Sequence, residues 1–219
     1  MKIVGEIYWY PEAALMNAID CNTYLINDKI TTIVDVGINL DKLYRGMKRD
    51  NIDMKKFQLI TNTHTHADHC SAYHALQSSL SAKVVLFKEE VKCFNASREI
   101  ATQFGMSIPE FRIDNQLNDT LSTGEMTFQV IHTPGHSPGA ICLYNLKLKT
   151  LICGDLIFQD SVGRTDFIGG NPEELKKSIE YISQLDIEFI LPGHMQPIVG
   201  KENAVKNFSY IKNNLLSFM

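Results

Sequence analysis

One short stretch limits what this chain can become: Thr63-His64-Thr65-His66-Ala67-Asp68-His69 sets three imidazoles and a carboxylate within six positions. An apolar run, Phe57 to Thr61, leads into it, so these side chains sit on a loop at a strand end. Burying them together without a partner would leave ring nitrogens and carboxylate oxygens unsatisfied, and that is costly. A metal ion satisfies them at once. Along an extended loop, alternation points His64 and His66 to one side, and a turn through Ala67 aims Asp68 and His69 at a second position nearby. Two ions are therefore expected.

Other candidate ligands lie far along the chain. His136, Asp155 and His194 each follow a strand-like run and a glycine, in His132-Thr133-Pro134-Gly135-His136, Cys153-Gly154-Asp155 and Leu191-Pro192-Gly193-His194. Glycine lets the backbone turn tightly there, so that the ligand projects from the strand end. Imidazoles and carboxylates without a thiolate suit two divalent ions, with zinc the default and iron or manganese compatible. Cys70 and Cys153 flank the ligands but read as small core residues. His74 and His132 fall outside the set, although His132 is close enough to His136 to stand behind it.

The remainder of the sequence frames this centre. Strand-like runs occur at Ile3 to Tyr8, Tyr24 to Asn27, Thr31 to Val36, Phe57 to Thr61, Lys83 to Phe87, Met126 to Ile131, Ala140 to Tyr144, Thr150 to Ile152 and Glu188 to Leu191. A helix begins at Asn171, a cap residue followed by Pro172, Glu173 and Glu174, with Leu175, Ile179 and Ile182 on one face. Ala204, Phe208, Ile211 and Leu215 line a second helix. Strands that follow one another early, with helices later in each half, give an α/β protein in which helices enclose two sheets. With no linker or repeat, residues 1–219 read as a single domain.

The balance of 21 Lys and Arg against 25 Asp and Glu gives a formal charge of -4, which argues against nucleic-acid partners. The densest basic stretch, Lys42 to Lys56, is interleaved with aspartates and reads as a solvated helix face. Glu6, Pro11 and Glu12 interrupt any signal-peptide core, and no run approaches the ~20 apolar residues of a membrane span. The five cysteines leave one unpaired under any bridging scheme, so reduced thiols are expected. These features describe a soluble, cytoplasmic protein acting on a small molecule; none of them sets an oligomeric state.

The order HxHxDH, later His, Asp, last His resembles the signature of the metallo-β-lactamase superfamily, from about the first strand to His194. The resemblance implies an αββα sandwich. It also implies that His64, His66 and His136 hold one metal, that Asp68, His69 and His194 hold a second, that Asp155 bridges them, and that Asp68 is in addition the catalytic carboxylate.

Gly154-Asp155-Leu156-Ile157-Phe158 and Val162-Gly163-Arg164-Thr165-Asp166-Phe167 are similar to the glyoxalase II branch and its short relatives, and to the persulfide dioxygenases. Glyoxalase II has a glutathione-contacting lysine where Arg164 stands and a tyrosine where Asp166 stands. The sequence ends at Met219 without the helical domain that adds glutathione contacts in the long enzymes. The resemblance implies a glyoxalase II-like metallo-hydrolase that cleaves a hydroxyacyl thioester through a metal-bridging hydroxide. An iron-dependent persulfide dioxygenase using His64, His136 and Asp155 is the alternative, ahead of a lactonase or other metallo-hydrolase. Arg164 is the expected substrate-binding residue, through its fork of donors to a carboxylate, unless it pairs with Asp166 to pin the loop.

Overall fold

Period-two alternation sorts the side chains of the central strands into separate cores, and this sorting stacks the layers. The computed structural model describes residues 1–11 and 20–218; Glu12 of the sequence argument lies outside them. The first sheet runs in chain order: β1 (Lys2–Val4), β2 (Ile7–Tyr10), β3 (Thr23–Ile26), β4 (Thr31–Val34), β5 (Phe57–Thr61), β6 (Lys83–Phe87) and β7 (Asn115–Leu117). Pairing is antiparallel from β1 to β4 and parallel from β4 to β7. The second sheet contains β8 (Thr120–Ser122), β9 (Thr127–His132), β10 (Ile141–Asn145) and β11 (Thr150–Gly154). After the small hairpin of β12 (Ile157–Phe158) and β13 (Ser161–Val162), the chain returns to that sheet with β14 (Phe189–Pro192) and β15 (Ile198–Val199). β14 pairs with β11 in parallel, so the chain ends after both strands open on the same rim.

Helices α1 (Leu40–Arg49), α2 (Ala67–Cys70), α3 (Tyr73–Leu80) and α4 (Lys88–Gln103) belong to the first half, and α5 (Pro172–Ile182) and α6 (Lys201–Asn214) to the second. Leu25, Ile33 and Ile60 face outward, where they meet Leu43 and Met47 of α1 and Tyr73 and Leu76 of α3. Their neighbours Tyr24, Ile26 and Val34 face the other way, against Val130, Ile141, Leu143 and Ile152 of the second sheet. Beyond that sheet, Cys142, Leu151 and Ile190 meet Leu175, Ile179 and Ile182 of α5 and Phe208 and Ile211 of α6. The order helix, sheet, sheet, helix is the expected αββα sandwich, with helices outside and the apolar layer between sheets shared.

The expected strand Ile3 to Tyr8 is instead two strands, because Gly5 adopts φ +51° and folds β1 back on β2. A left-handed residue cannot continue a strand, and only the folded chain reveals that glycine uses it here. Lys42 to Lys56 is helical only as far as Arg49 and resumes as a single 3-10 turn at Met54–Lys56. All five cysteines are free thiols, and every one but the half-buried Cys93 is buried. No helix among the described residues is long and apolar enough to cross a membrane.

The cap on α5 is as the sequence indicates: Asn171 Oδ1 accepts from the backbone N–H of Glu173 at 3.0 Å and of Glu174 at 3.1 Å. Asn171→Ala is expected to cost about 1 kcal/mol. In a chain of this size that lowers the thermal midpoint by roughly 2–4 °C, measurable by differential scanning calorimetry.

Candidate metal centre

Loops from both sheets converge on one rim. The first leaves β5 and reaches α2, so that His64 and His66 lie on extended chain while Asp68 and His69 occupy the first turn of a helix that starts at Ala67. His136 follows β9, Asp155 follows β11 and His194 follows β14. Gly154, at φ +48°, turns the chain sharply enough for Asp155 to point inward. Gly193 has a different reason to be glycine: a Cβ there would lie 2.2 Å from Asp155 Oδ1. The expectation of a tight glycine turn before each ligand fails at Gly193, where close approach, not backbone freedom, excludes a side chain.

The structure brings all seven sequence-predicted side chains together. His64, His66 and His136 form one triad and Asp68, His69 and His194 another, with the potential ligand atoms of each within 4.8 Å of one another. Asp155 spans the two. Its Oδ1 lies 3.3 Å from His69 Nε2, and its Oδ2 lies 3.6 Å from His136 Nε2 and 3.5 Å from His194 Nε2. His136 Nε2 and His66 Nδ1 face each other at 2.9 Å. His64 Nε2, His69 Nε2 and Asp155 Oδ1 are buried without a hydrogen-bond partner among the described residues. Ring nitrogens and carboxylate oxygens converging in this way fit a pair of divalent cations.

The electrostatics carry the same signature. Burial, reinforced by the neighbouring imidazoles, pulls His64 far below the usual histidine range and His66 to about 3. For His69 burial acts in the same direction but is outweighed by Asp155, Asp35 and Asp68, which push it up to about 10. Burial would raise the acid Asp155, yet His69 and His194 hold its carboxyl well below its normal range. His64 and His66 are thus neutral and Asp155 ionised, as ligation requires, whereas the carboxylates around His69 hold it as a cation that a metal would have to deprotonate.

Asp35, which the sequence reading passed over, orients the centre from behind. Buried at the end of β4, it accepts from the backbone N–H and the hydroxyl of Thr63, both at 2.8 Å, and its Oδ2 lies 3.2 Å from His69 Nδ1. A carboxylate behind a ligating imidazole fixes the ring and raises its basicity. The available signal was an aspartate at a strand end one residue from Val36-Gly37, on a strand that runs parallel to the one feeding the histidine loop. Glu90 gave no such signal. From the first turn of α4 its buried carboxylate accepts from Thr65 N–H at 2.9 Å and from Ser137 Oγ at 2.6 Å, and so joins the two loops that carry His64, His66 and His136. On the opposite side Asn22 Nδ2 and Tyr24 Oη donate to the carbonyl of Pro192 at 3.0 and 2.7 Å, which staples the His194 loop to the first sheet. His132 bonds to the Pro138 carbonyl at 2.8 Å, not to a member of the cluster.

With this geometry in view, comparison with known proteins is decisive: the family description of the metallo-beta-lactamase superfamily matches residues 16–194. The chain belongs to that superfamily. Among its relatives is hydroxyacylglutathione hydrolase GloC of Haemophilus influenzae, 30% identical over 197 residues that cover 86% of this chain and 92% of the relative. Among solved structures, the BLEG-1 B3 metallo-beta-lactamase superposes with a TM-score of 0.77 at 29% identity, covering 96% of this chain and 99% of that one. TTHA1623, crystallised in a di-iron-bound form, superposes with a TM-score of 0.73 at 27% identity, covering 85% and 93%. Metallo-beta-lactamase superfamily members hold a binuclear metal site, and the cluster found here has the donors for one.

A cavity of about 360 Å³ opens onto the cluster, with His66, Asp68, His136, Asp155 and His194 at one end and largely apolar side chains around the rest. Arg164 borders it, and the Arg164 carbonyl accepts from His136 Nδ1 at 2.8 Å, so the backbone of this loop orients a candidate ligand.

Metal titration followed by elemental analysis should find two ions per chain, and Asp155→Ala should weaken both sites together. One ion at saturation would contradict the double triad. Glu90→Gln, which puts an NH₂ donor in place of one of the two oxygens that accept from Thr65 and Ser137, is expected to lower metal affinity about 10–100-fold, the range seen for groups that orient ligands.

Proposed function

We propose that this superfamily member is a metal-dependent hydrolase of thioesters, glyoxalase II-like in its chemistry. The observation that carries the reading is the position of Asp155 across both triads, at the floor of a cavity whose described lining supplies no general acid beyond the ligands themselves. Two ions held by His64, His66 and His136 and by Asp68, His69 and His194 would supply a hydroxide at neutral pH and polarise a carbonyl. The reaction adds water across the acyl C–S bond: a C–O bond forms, the C–S bond breaks, and the products are a carboxylic acid and a thiol. A thiolate, with a parent pKa near ~8.5, leaves with less proton assistance than an amine or alkoxide, which suits a site of this composition. The name of the Haemophilus influenzae relative supports the same class.

The chain's own groups divide the work. Asp68 stays ionised because His69 and His194 outweigh its burial, and it lines the cavity as the carboxylate able to accept a proton from the attacking water. Its Oδ2 lies 3.2 Å from His194 Nε2, which fixes its orientation. For Arg164 the geometry favours the loop-pinning alternative over the carboxylate clamp. Its Nε and Nη2 both donate to Asp166 at 2.6 Å, and the guanidinium lies 4.0 Å over the ring of Phe167. The fork is thereby committed to pinning the loop whose carbonyl holds His136.

The di-iron-bound neighbour favours a second reading, iron-dependent persulfide oxidation through His64, His136 and Asp155. A panel of thioesters that includes lactoylglutathione, with thiol release followed directly, separates the two. Metal-dependent thiol release is expected; no release from any thioester, with oxygen consumed on glutathione persulfide, would select the oxidation. In the same assay Arg164→Ala and Asp166→Ala should reduce kcat/KM equally, and equally for anionic and neutral thioesters. A loss confined to Arg164→Ala and to anionic substrates would restore the clamp.

A further inference from the structure

The cavity wall away from the metal centre is built from several elements that share little except apolarity. Ile100 and Phe104 come from the end of α4, Met106 from the loop after it, Phe158 and Val162 from the β12–β13 hairpin, and Phe167 from the Arg164 loop. Their rings and side chains form a continuous lining. Phe167 packs edge-on against His66 with centroids 5.4 Å apart and against Phe104 at 5.5 Å, and Phe158 stands against His194 at 5.9 Å. The apolar surface thus begins at the side chains of His66 and His194.

Charge is as informative as shape. Arg164 is the only lysine or arginine among the described lining residues, and Asp166 occupies its donor fork. Among the described lining residues, a substrate arm bearing carboxylates would meet one cation already shared with Asp166, and along the apolar wall it would lose hydration that is not replaced. An uncharged apolar arm loses nothing and gains contact with three aromatic rings. At roughly 30 Å³ per water-sized group, the cleft itself covers on the order of ten non-hydrogen atoms of the arm.

On this basis, and resting on the thioester reading above, we infer that the substrate carries an uncharged, apolar arm of medium length beside the scissile thioester. The wall selects for it, and the glutathione-like anionic arm is the poor substrate. The arm is either the acyl chain or the organic group on sulfur; its chemistry is the same, and the test distinguishes them.

In the metal-loaded protein, kcat/KM should be measured for acetyl, butanoyl, hexanoyl and octanoyl esters of N-acetylcysteamine, a neutral thiol, and for the same acyl groups on glutathione. If the acyl chain is the arm, kcat/KM rises about fourfold per methylene until the cavity is full, the increment for burying a CH₂. If the sulfur side is the arm, the rise appears instead when acetyl is held constant and the thiol is lengthened from ethanethiol to octanethiol. Binding gives a readout free of catalysis: by calorimetry, the uncleavable thioether S-octyl-N-acetylcysteamine should bind far more tightly than its S-methyl counterpart, with or without metal. Phe104 is 53% exposed, so Phe104→Ala keeps the fold while it removes part of the wall, and it should flatten the chain-length dependence.

Equal binding of the S-octyl and S-methyl thioethers, or lactoylglutathione outperforming every alkyl substrate, would overturn the inference while leaving thioester hydrolysis intact. Tight, chain-length-dependent thioether binding in a protein that cleaves no thioester would do the reverse: the apolar arm would stand and the reaction class would fall.

Discussion

The structure depends on one constraint, that seven polar side chains with few donors among them must share a buried rim where two sheets end. Without a cation, His64 Nε2 has no hydrogen-bond partner among the described residues, and His69 Nε2 and Asp155 Oδ1 have only each other at 3.3 Å in a low-dielectric interior. The fold meets the constraint by geometry and by bracing. Parallel pairing of β4 with β5 and of β11 with β14 sends successive strand ends to the same rim, one pair from each sheet. Asp35 braces His69, Glu90 ties the loop of His64 and His66 to that of His136, and Asn22 and Tyr24 hold the His194 loop against the first sheet. Each brace crosses between elements distant in sequence. The centre is therefore a property of the packed sandwich and not of any one loop.

The same loops that deliver ligands also shape what can approach them. Arg164 illustrates the coupling: its carbonyl orients His136, its guanidinium is held by Asp166, and its stacking partner Phe167 packs on His66. A residue that sequence assigns to substrate recognition is paired with Asp166 on its own loop, and the groups beside it in the cavity are apolar. Pinning ligand loops through exposed ion pairs adds little to global stability.

Glu90 shows how far from the motif such bracing can begin. It sits on α4, whose other end supplies Ile100 and Phe104 to the cavity wall. One helix thus anchors the ligand loops near its start and lines the substrate cavity at its end, and a shift of α4 would move both.

How much of this was legible in the sequence follows from what each feature depends on. The HxHxDH loop, the glycine-preceded His136, Asp155 and His194, the Asn171 cap and most strands could be read directly, because motif spacing, capping and period-two alternation are local. The split of the first strand at Gly5, the short pieces β7, β8, β12, β13 and β15, and the true reason for Gly193 could not be read. A glycine does not announce whether it is needed for backbone freedom or for the nearness of another side chain. Asp35 and Glu90 escaped notice because a carboxylate becomes a brace only when a distant donor is brought to it. By itself the sequence determined which side chains would have to meet. The tertiary structure decided what stands behind them, where the charge of Arg164 is spent, and that the cavity in front is apolar, because burial and charge pairing are set by neighbours and the chain order does not specify neighbours.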